Sequence, residues 1–445
     1  MKTNIMLTFV YLITILKHIV SYDLTGFLRD SKDYPSNHYA VLVAGSNSYW
    51  NYRHQADIYH SYQLLIRNGI PADNIIVFAY DDIAYNRFNP IKGKVFNHPD
   101  FKGNGTDVYQ GVVIDYKGKD VNPKVFLDVI QGNPVKVGSK RTLLSDKNDN
   151  VFIYFSDHGA PGLIAFPDKY LYADDFIAAL KYMNKTEMYS KMVIYIEACE
   201  SGSMFANLPN DINIYATTAA NDRESSYAIY CEDEARIGFL NIGSCLGDLY
   251  SVSWLEDSDS RKKGETLLNQ FKLVKKKTKY SHVQQFGSNS FEDDLILDYQ
   301  GINNETTDDS YTNSILERNK ILDTYKNNLV NSRDAKLHFL YNQVKINNDL
   351  QSNINLQAEL HYMNTTNQIF NKFNNLLNLS IDDYFNNEEK RSIKFECLKQ
   401  SIEQYKKKCN NLGEYTLKYI KNIVLACNNH NNKIVYQAIE DACSL

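Results

Sequence analysis

Two short stretches of this 445-residue chain carry the residue types of nucleophilic catalysis. Asp157-His158-Gly159 follows the apolar run VFIYFS, and Cys199-Glu200-Ser201-Gly202 follows MVIYIEA. A thiol in mild acid is ionised only slightly, so attack on an amide needs an imidazole placed to take its proton. Cys199 therefore reads as the nucleophile and His158 as its base. Gly159 and Gly202 would let the chain turn sharply and bring backbone N–H groups close to a substrate carbonyl. Singly, such a Cys is more often an inert core residue and such a His a structural one. Placed at equivalent strand ends 41 residues apart, the two support each other.

The elements that must position them are legible as alternating runs. YAVLVAG at 39–45, IIVFAY at 75–80, VFIYFS at 151–156, MVIYIEA at 192–198 and INIYATTAA from Ile212 are apolar on both faces, as strands of a covered parallel sheet are. Between the first two lies ADIYHSYQLLIRNG, whose Ile58, Tyr62, Leu65 and Ile66 share a helical face before Gly69 offers a stop. ADDFIAALKYM lies between the third and fourth. Strands alternating with helices predict an α/β fold, and in such sheets sites gather beyond the carboxyl ends of strands.

The rest of the chain sets the compartment and the domains. Lys2 precedes an apolar run from Ile5 to Leu16, which reads as a signal peptide over 1–21. Lys17 and His18 break the run short of the ~20 residues a membrane span needs, so the mature protein is expected in the secretory pathway with no span. Seven cysteines there allow three disulfides and leave one thiol over, a candidate nucleophile. Asn104, Asn184, Asn304, Asn364 and Asn378 head N-x-[ST] sequons. A net charge of -5 gives no general attraction to nucleic acid. After a peptidase-like domain over 22–290, residues 291–330 hold nine Asp or Glu against three Lys or Arg and read as an exposed linker. Residues 331–445 are Asn-rich and helical in spacing, with Cys397, Cys409, Cys427 and Cys443 clustered in them.

Six blocks together carry a resemblance: VAGSNSYWNYRHQAD, NPIKGKVFNHPDFKGNGTDVYQGV, FIYFSDHGAPG, YIEACESGSMF, YATTAANDRESSYA and CLGDLYSVSWLEDSD. In this order, over roughly residues 38–300, they closely resemble the legumain (asparaginyl endopeptidase, vacuolar processing enzyme) family. The likeness extends more weakly through the C-terminal half. It implies a caspase-like, mostly parallel sheet flanked by helices, then an all-α, disulfide-stapled prodomain. It also implies cleavage after Asn, synthesis as a zymogen, Asn51 orienting His158, and a specificity pocket of Arg53, His54, Glu197, Ser225 and Asp248. That pocket makes chemical sense, because a primary amide offers one acceptor and one double donor to an Arg set among carboxylates. An Asp side chain would fit only when protonated. Further implications are protein and peptide substrates, cystatin-type inhibitors as partners, no cofactor or metal, and a lysosome- or vacuole-like acidic compartment or secretion.

The same resemblance implies crossed bridges in the tail, Cys397 to Cys427 and Cys409 to Cys443. A further bridge is expected between Cys231 and Cys245, which bracket a segment longer than in some animal members. Two other readings compete. A lipid-anchor transamidase catalytic subunit shares the NYRH block and the His and Cys, but matches YIEACESGSM and RESSYA less well and lacks a four-cysteine tail. An inactive binding homologue is disfavoured because the catalytic and pocket positions are all filled.

Overall fold

The computed structural model describes residues 37–260, 264–301, 329–409 and 412–444. The expected signal peptide, the sequon at Asn304 and most of the expected linker, with its Asn303, Asn313, Asn319, Asn327 and Asn328, lie outside these residues.

The apolar runs form β1 (His38–Ala44), β2 (Ile75–Phe78), β3 (Asn150–Ser156), β4 (Lys191–Glu197) and β5 (Ile214–Thr218). Two short strands follow, β6 (Tyr227–Ile229) and β7 (Gly247–Asp248), and then β8 (Gln284–Gly287). The main sheet has the order β8-β5-β4-β3-β1-β2, parallel except for β8, which pairs antiparallel with β5.

Helices α1 (Tyr52–Arg67), α2 (Pro123–Ile130), α3 (Ala173–Lys185), α4 (Leu249–Asp259) and α5 (Leu267–Lys277) cover the sheet. Because strand side chains alternate, each strand feeds two cores. Leu42, Val77, Tyr154 and Tyr195 pack with residues of α1, α4 and α5, whereas Val43, Phe78, Ile153 and Ile194 pack with α2 and α3. This is why the runs read as apolar on both faces.

Helix α1 starts at Tyr52, ahead of the apolar pattern that marks it in the sequence. Arg53, His54 and Asp57 are polar yet buried in its first turns, because they line the site described below. Past residue 290, Leu297–Gln300 makes one more helical turn against β1 and β3, with Tyr299 buried, so the first packed unit continues beyond the acidic onset.

The C-terminal part begins with β9 (Val330–Asn331), which pairs antiparallel with β6. Helices α6 (Ala335–Asn347), α7 (Leu350–Leu376), α8 (Phe395–Cys409), α9 (Ile420–Asn429) and α10 (Asn432–Cys443) follow. Their core of Phe370, Phe373, Leu398, Ile402, Ile423 and Val435 also takes in Ala160, Leu163 and Ala165, from the small antiparallel sheet just after His158. Disulfide Cys397–Cys427 ties α8 to α9, Cys409–Cys443 ties α8 to α10, and Cys231–Cys245 closes the segment between β6 and β7. Cys199 is the free thiol.

The architecture is thus the expected one, a mostly parallel sheet flanked by helices followed by an all-helical, disulfide-stapled region. Asn104, Asn184, Asn364 and Asn378 are exposed. Among the described residues no helix is long and apolar enough to cross a membrane.

Candidate active site

Strands β3 and β4 are parallel and in register, Ser156 opposite Glu197, so His158 and Cys199 each lie two residues past the same edge of the sheet. The Asp157 N–H donates to Glu197 O at 3.0 Å and holds the two strand ends together. A Cβ on Gly159 would stand 2.3 Å from the Cys199 carbonyl oxygen, so only glycine lets these segments touch. Directly after the thiol, Glu200 takes a left-handed conformation, φ 47°.

Asn51 sits at the N-cap of α1, yet its side chain does not cap the helix. Its Oδ1 lies 2.9 Å from His158 Nε2, and its Nδ2 donates to Asn47 O at 3.1 Å. With the Nε2 proton given to Asn51, the lone pair of His158 is on Nδ1, which is buried and has no hydrogen-bond partner among the described residues. Burial, reinforced by Arg53 and Arg333, holds this imidazole well below its ordinary pKa of 6.5 and therefore neutral. Burial also pushes the Cys199 thiol up, against the pull of Arg333. The Ser226 N–H is 3.4 Å from Cys199 Sγ.

Beside the pair lies a buried cluster with one guanidinium and three carboxylates. Arg53 Nε donates to Asp248 Oδ1 at 2.8 Å, while Nη2 has no partner among the described residues. Asp248 caps no backbone although it precedes α4, and its Oδ2 lies 3.6 Å from His54 Nε2. Glu197 Oε2 accepts from the N–H and Oγ of Ser251, both at 3.0 Å, at the N-terminal end of α4. Its Oε1 faces Ser226 without a well-formed hydrogen bond.

Asp57, one turn of α1 below Arg53, accepts from Asn97 Nδ2 at 2.7 Å and Ser156 Oγ at 3.2 Å, and stands close enough to Asp248 to feel its charge. Burial and the neighbouring Asp248 push Glu197 up to about 8, and burial pushes Asp57 well above the carboxylate range. One Arg cannot neutralise three desolvated acids, so the cluster retains protons at neutral pH.

The expected Ser225 is half-buried, and the hydroxyl found against Cys199 and Glu197 is that of Ser226. Adjacent residues of an extended chain point to opposite sides, and Ser226 is the one turned inward.

The C-terminal region reaches into this site twice. Glu414 accepts from Trp50 Nε1 at 3.0 and 3.1 Å and from Asn51 Nδ2, and stands 3.5 Å from His158 Nε2. Arg333, also buried, donates to Gly159 O and, at 2.6 Å, to Glu200 Oε2. A cavity of about 660 Å³ remains between Trp50, His158, Tyr170 and Glu414. His54, Asp157 and His158 present ligand-type atoms within 4.8 Å of one another.

Residues 38–302 match the model of the Peptidase C13 family, and residues 354–443 match that of the legumain prodomain. The chain belongs to the peptidase C13 family. It is 46% identical over 343 residues to a hemoglobinase of Schistosoma japonicum, covering 77% of this chain and 76% of that protein. To the legumain of Bos taurus it is 51% identical over 284 residues, 63% of each chain. The crystal structure of caspase-1 from Spodoptera frugiperda aligns with 63% of this chain and 97% of its own, at a TM-score of 0.36 and 11% identity.

As a C13 peptidase with a legumain prodomain, the protein is a cysteine endopeptidase that acts on protein and peptide substrates. Asp57, Ser226, Arg333 and Glu414 of this C13 peptidase escaped sequence reasoning. Asp57 and Ser226 fall within the family-like blocks without standing out there, and Arg333 and Glu414 have only their polarity as a sequence signal.

Proposed function

We propose that the protein hydrolyses peptide bonds on the carboxyl side of Asn, and of Asp in acid, as a zymogen whose C-terminal region covers the site. In this reading Cys199 Sγ attacks the carbonyl carbon as its proton passes to His158 Nδ1. The backbone N–H groups of Gly159 and Cys199 stabilise the oxyanion, and the imidazolium protonates the departing amine. Asn51 holds the ring with Nδ1 toward the thiol. Water then hydrolyses the thioester. An incoming amine in its place would ligate peptides, since both nucleophiles meet the same acyl-enzyme.

The observation that carries the specificity is the unpaired Nη2 of Arg53 in a buried pocket walled by Glu197 and Asp248. Buried donors without partners are rare and mark a place where something binds. An Asn side chain offers its oxygen to Nη2 and its two N–H to the acids. An Asp carboxylate would add a further charge beside Asp248, which only protonation relieves.

Closure by the C-terminal region is supported by Glu414 lying on Asn51 and facing His158, and by Arg333 bonded to Gly159 O. Cleavage in the Asn-bearing linker would free that region in an acidic, lysosome- or vacuole-like compartment, and cystatin-type inhibitors would compete for the opened cleft. The test is a peptide library varied at the residue before the scissile bond, read with activated wild type and Cys199→Ala. Cleavage after Asn that disappears in Cys199→Ala is expected. Equal cutting after Ala, Gln and Asn would refute the pocket.

A further inference from the structure

We infer that Val330–Arg333 lies in the register of a substrate, and that Glu200 with the Gly159 carbonyl forms a subsite taking a guanidinium side chain on the residue after the scissile bond. This rests on the peptidase reading above and extends it to the leaving-group side.

The register follows from the backbone. Val330 pairs with Ala228 and Asn331 with Tyr227, antiparallel, and the Ser332 N–H donates to Ser226 O at 3.1 Å. Because the Ser226 N–H itself lies 3.4 Å from Cys199 Sγ, residue 332 is the one abreast of the thiol. A peptide added to the edge of β6 in this way is held by main-chain hydrogen bonds, whatever its side chains. The next residue, Arg333, then falls where the leaving-group side begins.

The chain does not pay the usual penalty for cutting itself here, because Ser332 is short. Its Oγ meets Ser226 Oγ at 3.3 Å, and Arg53 Nη2 stays unpaired. The segment thus fills the strand position without filling the specificity pocket.

Past residue 332 the site is built for a cation. Arg333 is 6% exposed, and its Nη2 is shared between the Gly159 carbonyl and Glu200 Oε2. Glu200 is 3% exposed and follows the nucleophile in a backbone conformation that non-glycine residues seldom adopt. Two acceptors of different direction suit a planar, multiply donating guanidinium better than an ammonium. Arg333 Nε and Nη1 are buried and have no hydrogen-bond partner among the described residues, so the present occupant uses only part of its donor set. When the C-terminal region departs, Arg333 leaves and so does Lys421, a second cation that acts on Glu200. A partly buried carboxylate then has only a substrate to pair with.

The experiment uses the activated enzyme and quenched fluorescent peptides with Asn before the scissile bond, identical except for Arg, Lys, citrulline, Ala or Glu after it. Citrulline keeps the shape of Arg without its charge. The expected result is kcat/KM for Arg above citrulline by about tenfold or more, Lys between them and Glu lowest. In Glu200→Gln the Arg-to-citrulline ratio should fall towards one. Since the ratio is read within one preparation, a general loss of activity cannot imitate this result. If Glu200→Gln fails to fold, the wild-type series decides alone. Equal rates for all five peptides overturn the subsite while leaving the asparaginyl reading intact. Failure to cut any of them overturns both.

Discussion

Replacing Glu414 by Ala should make the uncut precursor active at neutral pH. In the closed form the Glu414 carboxylate takes the Trp50 indole N–H across both oxygens, at 3.0 and 3.1 Å, and one N–H of Asn51, whose Oδ1 meets His158. Hydrogen bonds to a charged acceptor contribute about 1.5–3 kcal/mol each when water is excluded. The Glu414 side chain is 26% exposed, and solvent screening lowers this to about 1 kcal/mol for each of the two donors. Losing about 2 kcal/mol moves the balance between closed and open precursor by roughly 30-fold. The assay is hydrolysis of a fluorogenic Asn peptide by purified precursor, with the intact tail verified on a gel before and after. Glu414→Gln, which keeps an acceptor and removes the charge, should fall between Ala and wild type. An Ala variant as silent as wild type would show that the β9 strand and the helix packing alone hold the site shut.

Acid should open the precursor through His158. Its pKa is held well below 6.5 while it is buried beside Arg53 and Arg333; opening removes Arg333 and admits water, so the open form binds a proton that the closed form refuses and is favoured as pH falls below ~6.5. Glu200 acts in the opposite sense, because burial raises its pKa in the closed form, and pairs such as Lys399 with Asp174 and Asp175 are exposed enough to contribute little. Binding of a labelled Asn peptide to Cys199→Ala precursor should therefore strengthen as pH falls through ~6.5, and strengthening only below ~4.5 would assign the switch to carboxylates instead. Arg53→Gln should lower kcat/KM for Asn peptides by about 1–3 kcal/mol, roughly 5- to 150-fold, and flatten the preference over Ala; an unchanged preference profile would place the pocket elsewhere. Ser332→Asn should turn the covering strand into a substrate, and fragment sequencing should find a cut after position 332 that Cys199→Ala abolishes. An uncut variant that remains fully inhibited would mean that residue 332 does not face the Arg53 pocket.

Most of the fold was legible because its signals are local. Five apolar runs became the five parallel strands, and the helical spacing after Ala335 became a run of helices. The start of α1 was not, since Arg53 and His54 break the apolar pattern and look like a loop until their partners Asp248 and Asp157 are in place. Leu297–Gln300 was hidden in the same way, its buried Tyr299 set in an acidic stretch. Ser226 shows the grain of the limit: the family resemblance points to Ser225, and only the course of the chain into β6 shows that the hydroxyl against the thiol is that of Ser226.

By itself the sequence determined the sheet, the helical tail, the odd cysteine and the placing of His158 and Cys199 at strand ends, because strand and helix periodicities and residue chemistry are properties of neighbouring residues. Only the tertiary structure decided what surrounds that pair. Asn51 meets His158 across 107 positions and Glu414 across 363, Arg53 meets Asp248 across 195, and Arg333 meets Glu200 across 133. Each is an ordinary polar residue in its own stretch. What makes it part of the site is burial opposite a particular partner, where a low dielectric turns a modest polar contact into a decisive one.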